Sequence, residues 1–279
     1  MRFDPPDQLR LSMGSGFKYL MDSIAVGDGK ADQSSNLTRY YAESGTPPGV
    51  FLGVGLADLD GGNGVDHGSQ VGEEQLQNML GLIVDPVSGE ALGTAPRRKA
   101  ASVTKRLQDR VARLSTDLTG EERAAEGRRI EAEERARQHK QPATVAGFDL
   151  TFSPSKSVSL AWALADQGTK AVIYECHRRA IDYTLAYAER NVFHSWSGKD
   201  GVVQEDVSGV VAAAFTHYDS RSGDPQLHDH VVVWNKAKSV SDGQWRALDS
   251  RGLFKQVVTL GVMHEGVLAD MLTDALGVG

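Results

Sequence analysis

Two apolar periods divide this chain between them. Runs in which every second residue is apolar read as half-buried strands, and runs with apolar residues three and four apart read as helices. Residues 8–13 (QLRLSM) predict a short strand, and a helical pattern follows over 17–25 with Leu20, Met21 and Ile24 as its apolar positions. Thr38 is placed to cap a second short helix holding Arg39, Tyr40, Tyr41 and Ala42, which the Gly45-Thr-Pro-Pro-Gly49 cluster ends. A small apolar segment covers 50–56, and after a Gly/Asp-rich stretch residues 72–83 predict a further short helix. The alternating run 146–152 (AGFDLTF) predicts a strand, Ser153-Pro154 a helix start, and 169–191 a long helix. Two β-rich runs, 207–217 and 227–235, flank a loop containing Gly223-Asp224-Pro225 and predict a hairpin. A short strand at 244–247 and a helix over 255–275 complete an α+β pattern: a mainly antiparallel sheet with helices packed on it.

Between 97 and 140 the pattern changes. This stretch is rich in Arg, Glu and Ala and predicts two exposed helices broken near Gly120. It holds thirteen Lys or Arg against eight Asp or Glu, a local +5 within a chain whose net charge is −7, so the remainder carries −12. Two readings stand open for it: a solvated hairpin laced with ion pairs, or an arm that touches a DNA backbone.

Composition narrows the class rather than the function. A chain of 279 residues, 40% hydrophobic and 24% charged, fits one large domain or a domain with an inserted module. It has no apolar run of the roughly 18 residues a span needs and no signal-peptide pattern, so a cytoplasmic protein without membrane insertion is expected. The single cysteine, Cys176, has no partner for an internal disulfide. The acidic balance argues against coating nucleic acid by bulk charge, but not against gripping it at one site.

Histidine spacing carries the chemistry. His228 and His230 lie two apart on a predicted strand and so share a face, and His217 ends the preceding strand. A hairpin brings the three imidazoles together as an open-sided metal site. An H-x-H alone is weak evidence; the third histidine on the adjacent strand is what strengthens it. His67, His139, His177, His194 and His264 show no ligand spacing and read as structural or surface residues.

The run from His217 to Asn235, HYDSRSGDPQLHDHVVVWN, resembles the signature of the conjugative relaxases of the MobF family, the TrwC/TraI-like members of the HUH endonucleases. The run 147–159, GFDLTFSPSKSVS, is similar to a second block of that family, and Tyr40-Tyr41 with the following GTPPGVFLG to its tyrosine block. The resemblance implies a palm-like relaxase fold over 1–279, with a charged helical insertion at about 84–140 that departs from the family's spacing. It implies site- and strand-specific nicking of single-stranded DNA at an origin of transfer, through a 5′-phosphotyrosyl intermediate, which initiates conjugative transfer. One divalent metal ion on His217, His228 and His230 is implied, Mg²⁺ or Mn²⁺ first and Zn²⁺ or Ni²⁺ as alternatives.

By the same resemblance Asp149 stands behind the histidines, orienting one or accepting the tyrosine proton. Tyr19 stands as main nucleophile, and Tyr40 and Tyr41 match a pair proposed to serve a second strand transfer. Lys156 and Arg221 are candidate phosphate contacts. Among Trp162, Trp196, Trp234 and Trp245 a base-stacking platform is sought, with Trp162 read as core. The implied partners are origin DNA, as a hairpin plus nick site, and other relaxosome proteins. The middle residue of the HUH triplet is nominally hydrophobic; here it is Asp229, expected to point away from the metal. Two rival readings use the same histidines: a phosphodiesterase with a water nucleophile, and an inactive single-stranded DNA-binding module. There is no G-x-x-x-x-G-K-[ST] run, and the chain reads as a relaxase-only fragment of a longer protein.

Overall fold

A five-stranded antiparallel sheet organises the computed structural model, which describes residues 10–14, 48–94, 103–114, 119–140, 144–198, 202–220 and 224–277. The strands in chain order are β1 (Arg10–Ser12), β2 (Val50–Leu52), β3 (Val145–Phe152), β4 (His194–Ser197), β5 (Val203–Asp206), β6 (Ala212–Asp219), β7 (Pro225–Trp234), β8 (Ala237–Lys238) and β9 (Trp245–Arg246). The helices are α1 (Glu73–Leu76), which runs into a π-helical turn (Gln77–Leu82), then α2 (Val103–Ala112), α3 (Gly120–Lys140), α4 (Lys156–Leu164), α5 (Gln167–Asn191) and α6 (Ser250–Leu276). The main sheet has the order β1-β3-β7-β6-β2, and β4-β5 and β8-β9 form small ribbons.

Two compact units are present. One comprises Met1–Thr94 with Val145–Gly279, the other Ala95–Thr144. Within the smaller unit, α3 starts where Thr119 and Glu122 bond reciprocally, Thr119 N–H to the Glu122 carboxylate and Glu122 N–H to the Thr119 hydroxyl. Arg110 of α2 meets Glu133 of α3 at 2.8 Å, and Glu126 meets Arg129 at 2.7 Å along α3. Ile130 is its buried apolar anchor.

In the larger unit the sheet buries both faces. On one face Phe51, Met79, Leu80, Phe215, Val232 and Trp234 form a cluster with the α1 segment. On the other, Phe148, Leu150, Val231 and Val233 pack against Ile181, Leu185 and Ala188 of α5 and Leu253 and Leu260 of α6. This two-sided burial explains the nearly unbroken apolar run 231–234 on the central strand. Gly147 faces that strand closely: a Cβ there would lie 2.7 Å from the Val233 carbonyl oxygen.

Strand β6 begins at 212 rather than 207. At Gly209 (φ 149°) the chain passes so close to Val54 and Gly55 that a Cβ would lie 2.6 Å from the Gly55 nitrogen, and Gly55 N–H donates to the Val210 carbonyl instead. Helix α4 begins at Lys156, two residues later than the Ser153-Pro154 pair suggested, because Ser153 Oγ accepts from Gln226 Nε2 at 3.1 Å. Helix α6 begins at Ser250, ahead of the expected 255, because the Asp249 carboxylate accepts from Arg251 N–H at 3.0 Å.

Candidate metal centre

The β6–β7 hairpin sets the site by its register. Phe215 pairs with His230, Thr216 with Asp229 and His217 with His228. The pleat therefore puts His217, His228 and His230 on the face that also carries Phe215, Val232 and Trp234, and puts Thr216 and Asp229 on the helix face. One ligand nitrogen from each histidine lies within 4.8 Å of the other two. The ring centroids are 5.0–5.3 Å apart. All three side chains are half-buried.

Hydrogen bonds assign which nitrogen each ring can offer. His230 Nδ1 lies 3.0 and 2.9 Å from the two oxygens of Asp149, so Nδ1–H donates to the carboxylate and Nε2 keeps its lone pair. His228 Nδ1 lies 2.9 Å from the Gln226 carbonyl oxygen, with the same result. His217 Nε2 is buried and has no hydrogen-bond partner among the described residues. A buried nitrogen left without a partner costs about 1–3 kcal/mol, which a bound cation would offset. Burial, followed by the neighbouring His230 and His228, pushes the His217 pKa down to about 4, and burial also lowers that of His228. Both shifts favour the neutral form of His217 and His228 that ligation requires. Three imidazoles with their second nitrogens or their burial so arranged fit a divalent ion that keeps open positions for oxygen ligands.

Asp229 points away from these rings and is fully buried on the helix side, bonded to His177 and Arg178 of α5. Lys156 opens α4 and donates from Nζ to the Pro225 carbonyl at 2.8 Å, with the Asp224 carboxylate 3.8 Å away, so it sits at the loop end of the hairpin. Tyr19, Tyr40, Tyr41 and Arg221 lie outside the described residues. Trp234 is fully buried and Trp245 packs on it at 5.8 Å. Trp162 stacks on Tyr218 at 4.8 Å and has the Lys170 ammonium 5.6 Å from its ring centroid, and Trp196 lies under the Arg251 guanidinium. Two contributors escaped the sequence reading: the Gln226 carbonyl on His228, and Thr151, whose hydroxyl lies 3.4 Å from His230 Nδ1. Thr151 carried a signal, since it stands two residues after Asp149 on the same strand face.

A family model described as TrwC relaxase matches residues 13–279. The multifunctional conjugation protein TraI of Escherichia coli is 39% identical over 105 residues, which is 37% of this chain but 6% of TraI. The chain therefore aligns with a small part of that relative's length. Among solved structures, the conjugative relaxase TrwC in complex with oriT DNA, in a copper-bound form, superposes with a TM-score of 0.62 at 26% identity, over 97% of this chain and 71% of that one. The metal-free structure of the TrwC–oriT DNA complex gives 0.56 at 27% identity, over 83% and 63%. No helix among the described residues is long and apolar enough to cross a membrane.

Proposed function

The chain belongs to the TrwC relaxase family, and from that premise we propose that it nicks single-stranded DNA at an origin of transfer and rejoins it through a tyrosine. The observation that supports this most directly is the trio His217, His228 and His230, with ligand nitrogens within 4.8 Å and His230 held by Asp149. The solved relatives are complexes with oriT DNA, in metal-bound and metal-free forms, which agrees with a nucleic-acid substrate and a metal for this chain.

In this reading the three histidines hold one divalent ion, Mg²⁺ or Mn²⁺. Such an ion supplies positive charge to the non-bridging oxygens of the scissile phosphate as negative charge develops there. Tyr19 is the main nucleophile: its oxygen bonds to phosphorus, the bond from phosphorus to the 3′ oxygen breaks, and a free 3′-hydroxyl leaves. Tyrosine's pKa of about 10 requires its proton to be taken up as the bond forms. Both oxygens of Asp149 already face His230, which favours an orienting role for it over that of proton acceptor. Tyr40 and Tyr41 serve the second transfer.

Lys156 and Arg221 contact DNA phosphates; the Lys156 ammonium carries three protons, of which the Pro225 carbonyl takes one. The segment at about 84–140, most of which falls in the compact unit Ala95–Thr144, is an insertion in the relaxase domain, and other relaxosome proteins join the complex in the cytoplasm.

Labelled single-stranded origin DNA, incubated with the protein and Mg²⁺ or Mn²⁺, tests the reading on a denaturing gel. A covalent protein–DNA adduct that disappears with chelator and in Tyr19→Phe is expected. Metal-dependent cleavage without any adduct supports instead a water nucleophile. An adduct that survives Tyr19→Phe and is lost in Tyr40→Phe reassigns the nucleophile.

A further inference from the structure

The back of the metal hairpin carries a second set of polar contacts that the proposed chemistry does not use. In the register of β6 and β7, the pair Thr216–Asp229 lies between the pair His217–His228 and the pair Phe215–His230. Its two side chains are 3% and 0% exposed and face α5. There Tyr174, His177 and Arg178, spaced i, i+3 and i+4, line one face of the helix. Tyr174 Oη lies 3.3 Å from Thr216 Oγ1, Arg178 Nη1 donates to Asp229 Oδ2 at 2.5 Å, and His177 Nε2 lies 3.3 Å from Asp229 Oδ1. Behind them His264 of α6 completes the chain, its Nε2 lying 3.1 Å from His177 Nδ1.

One direction is fixed by chemistry: a guanidinium can only donate, so Asp229 Oδ2 accepts from Arg178. His177 bridges the other carboxylate oxygen and His264 through its two ring nitrogens. Each side chain of the row thus has a partner within it.

Stability alone is a poor reason for such a row. Well-packed apolar side chains in place of a buried ion pair are often neutral or stabilising, and the same face already holds Val231 and Val233 against α5 and α6. What directed bonds add, and apolar contacts lack, is a fixed position for the backbone between two ligands. The ligand atoms tolerate only small displacements if they are to share one ion, with metal–nitrogen distances near 2.0–2.1 Å for an ion such as Zn²⁺.

We propose that α5 is a positioning device for the metal ligands: Tyr174, His177 and Arg178 grip the Thr216–Asp229 pair and thereby set the spacing and roll of His217, His228 and His230. The inference rests on the reading of those histidines as a metal site. It makes Asp229, the polar middle residue of the triplet, an anchor on the side away from the ion. Groups that never touch the metal then set its affinity.

Co²⁺ titration of the intact chain, followed by its visible absorption and paired with melting curves, tests this. Asp229→Asn should weaken Co²⁺ binding about 10–100-fold, the range typical when an outer partner of a metal ligand is lost, and should alter the band shape. Tyr174→Phe, which removes one oxygen, should weaken binding less, with little change in melting temperature. Leu185→Ala, a cavity in the same core away from the row, should lower the melting temperature and leave both the affinity and the spectrum unchanged. The proposal is overturned if Asp229→Asn keeps the wild-type affinity and spectrum, or if Leu185→Ala shifts them equally. If Asp229→Asn does not fold, Tyr174→Phe decides: wild-type Co²⁺ affinity in that variant overturns the proposal. Failure of the wild-type chain to bind Co²⁺, Mn²⁺ or Zn²⁺ at all defeats the metal-site reading first, and this inference with it.

Discussion

Asp149 and His230 meet at 2.9 Å although they are not cross-strand partners. The register sets Asp149 opposite Val232 and His230 opposite Thr151, so the carboxylate reaches the imidazole diagonally, across two residues of the pleat. The two side chains must lean toward each other to span that gap, and the bond fixes which ring nitrogen of His230 faces the carboxylate.

Asp149→Ala is therefore expected to lower divalent-metal affinity about 10–100-fold, with a smaller loss in Asp149→Asn, which keeps an acceptor but no charge. Isothermal titration with Mn²⁺ reads this. Equal affinities in wild type and Asp149→Ala would show that the carboxylate does not orient a ligand.

His217 makes a different prediction, because its Nε2 is buried without a partner. Replacing the ring by an apolar side chain removes that cost, about 1–3 kcal/mol. In chelator, His217→Leu should melt no lower than wild type, while the rise in melting temperature that metal gives the wild type should vanish. A clear drop in the metal-free melting temperature of His217→Leu argues against a nitrogen reserved for a ligand.

The helix side of the sheet sets a pH dependence. Burial, and then His177, lower the pKa of His264 from 6.5 to about 3. As pH falls below about 6.5 the unfolded chain takes up a proton there that the folded chain refuses. Stability is thus fully present above pH 6.5 and lost as pH falls from there toward 3. In chelator, the unfolding free energy of His264→Gln should change with pH less steeply than that of the wild type, by up to about 1.4 kcal/mol per pH unit between pH 6 and 4. Parallel slopes for the two proteins would mean that His264 does titrate in the folded state.

Lys156 gives a prediction about salt. If its ammonium meets one phosphate, the slope of log affinity against log salt for a single-stranded oligonucleotide should be shallower in Lys156→Ala by about 0.7. Fluorescence anisotropy across a salt series measures it. An unchanged slope confines Lys156 to its bond with the Pro225 carbonyl.

Much of this was legible in the primary structure, for physical reasons that differ by element. Strand β7 and helix α5 announce themselves because their periodic patterns are long, and His228-x-His230 shares a face by the two-residue repeat alone. Placement of His217 needed only the hairpin. Less legible were features decided by distant chain. Strand β6 starts late because Gly209 passes against Gly55, and α4 starts late because Ser153 is engaged by Gln226. The π-helical turn at Gln77–Leu82 left no periodic mark. Asp229 stood out as a polar residue in a buried strand, and that oddity demanded a partner. Which partner, 52 positions away in the chain, only the packing of α5 on the sheet reveals. The tyrosines are the reverse case: the sequence resemblance names them, and they lie outside the described residues.

The alternation along Pro225–Trp234 has a genetic consequence. Odd positions answer to α5 and α6, even positions to the metal face, so the two sets are read in different frames of the same strand. Point substitutions on one face leave the other nearly free to drift. A single inserted or deleted codon between 226 and 231 exchanges the frames outright, aiming histidines at the helices and the carboxylate at the ion. Length changes should accumulate between the two strands and never within them. A library of one-codon insertions scanned through 212–234 would display that boundary as an abrupt edge in divalent-metal binding.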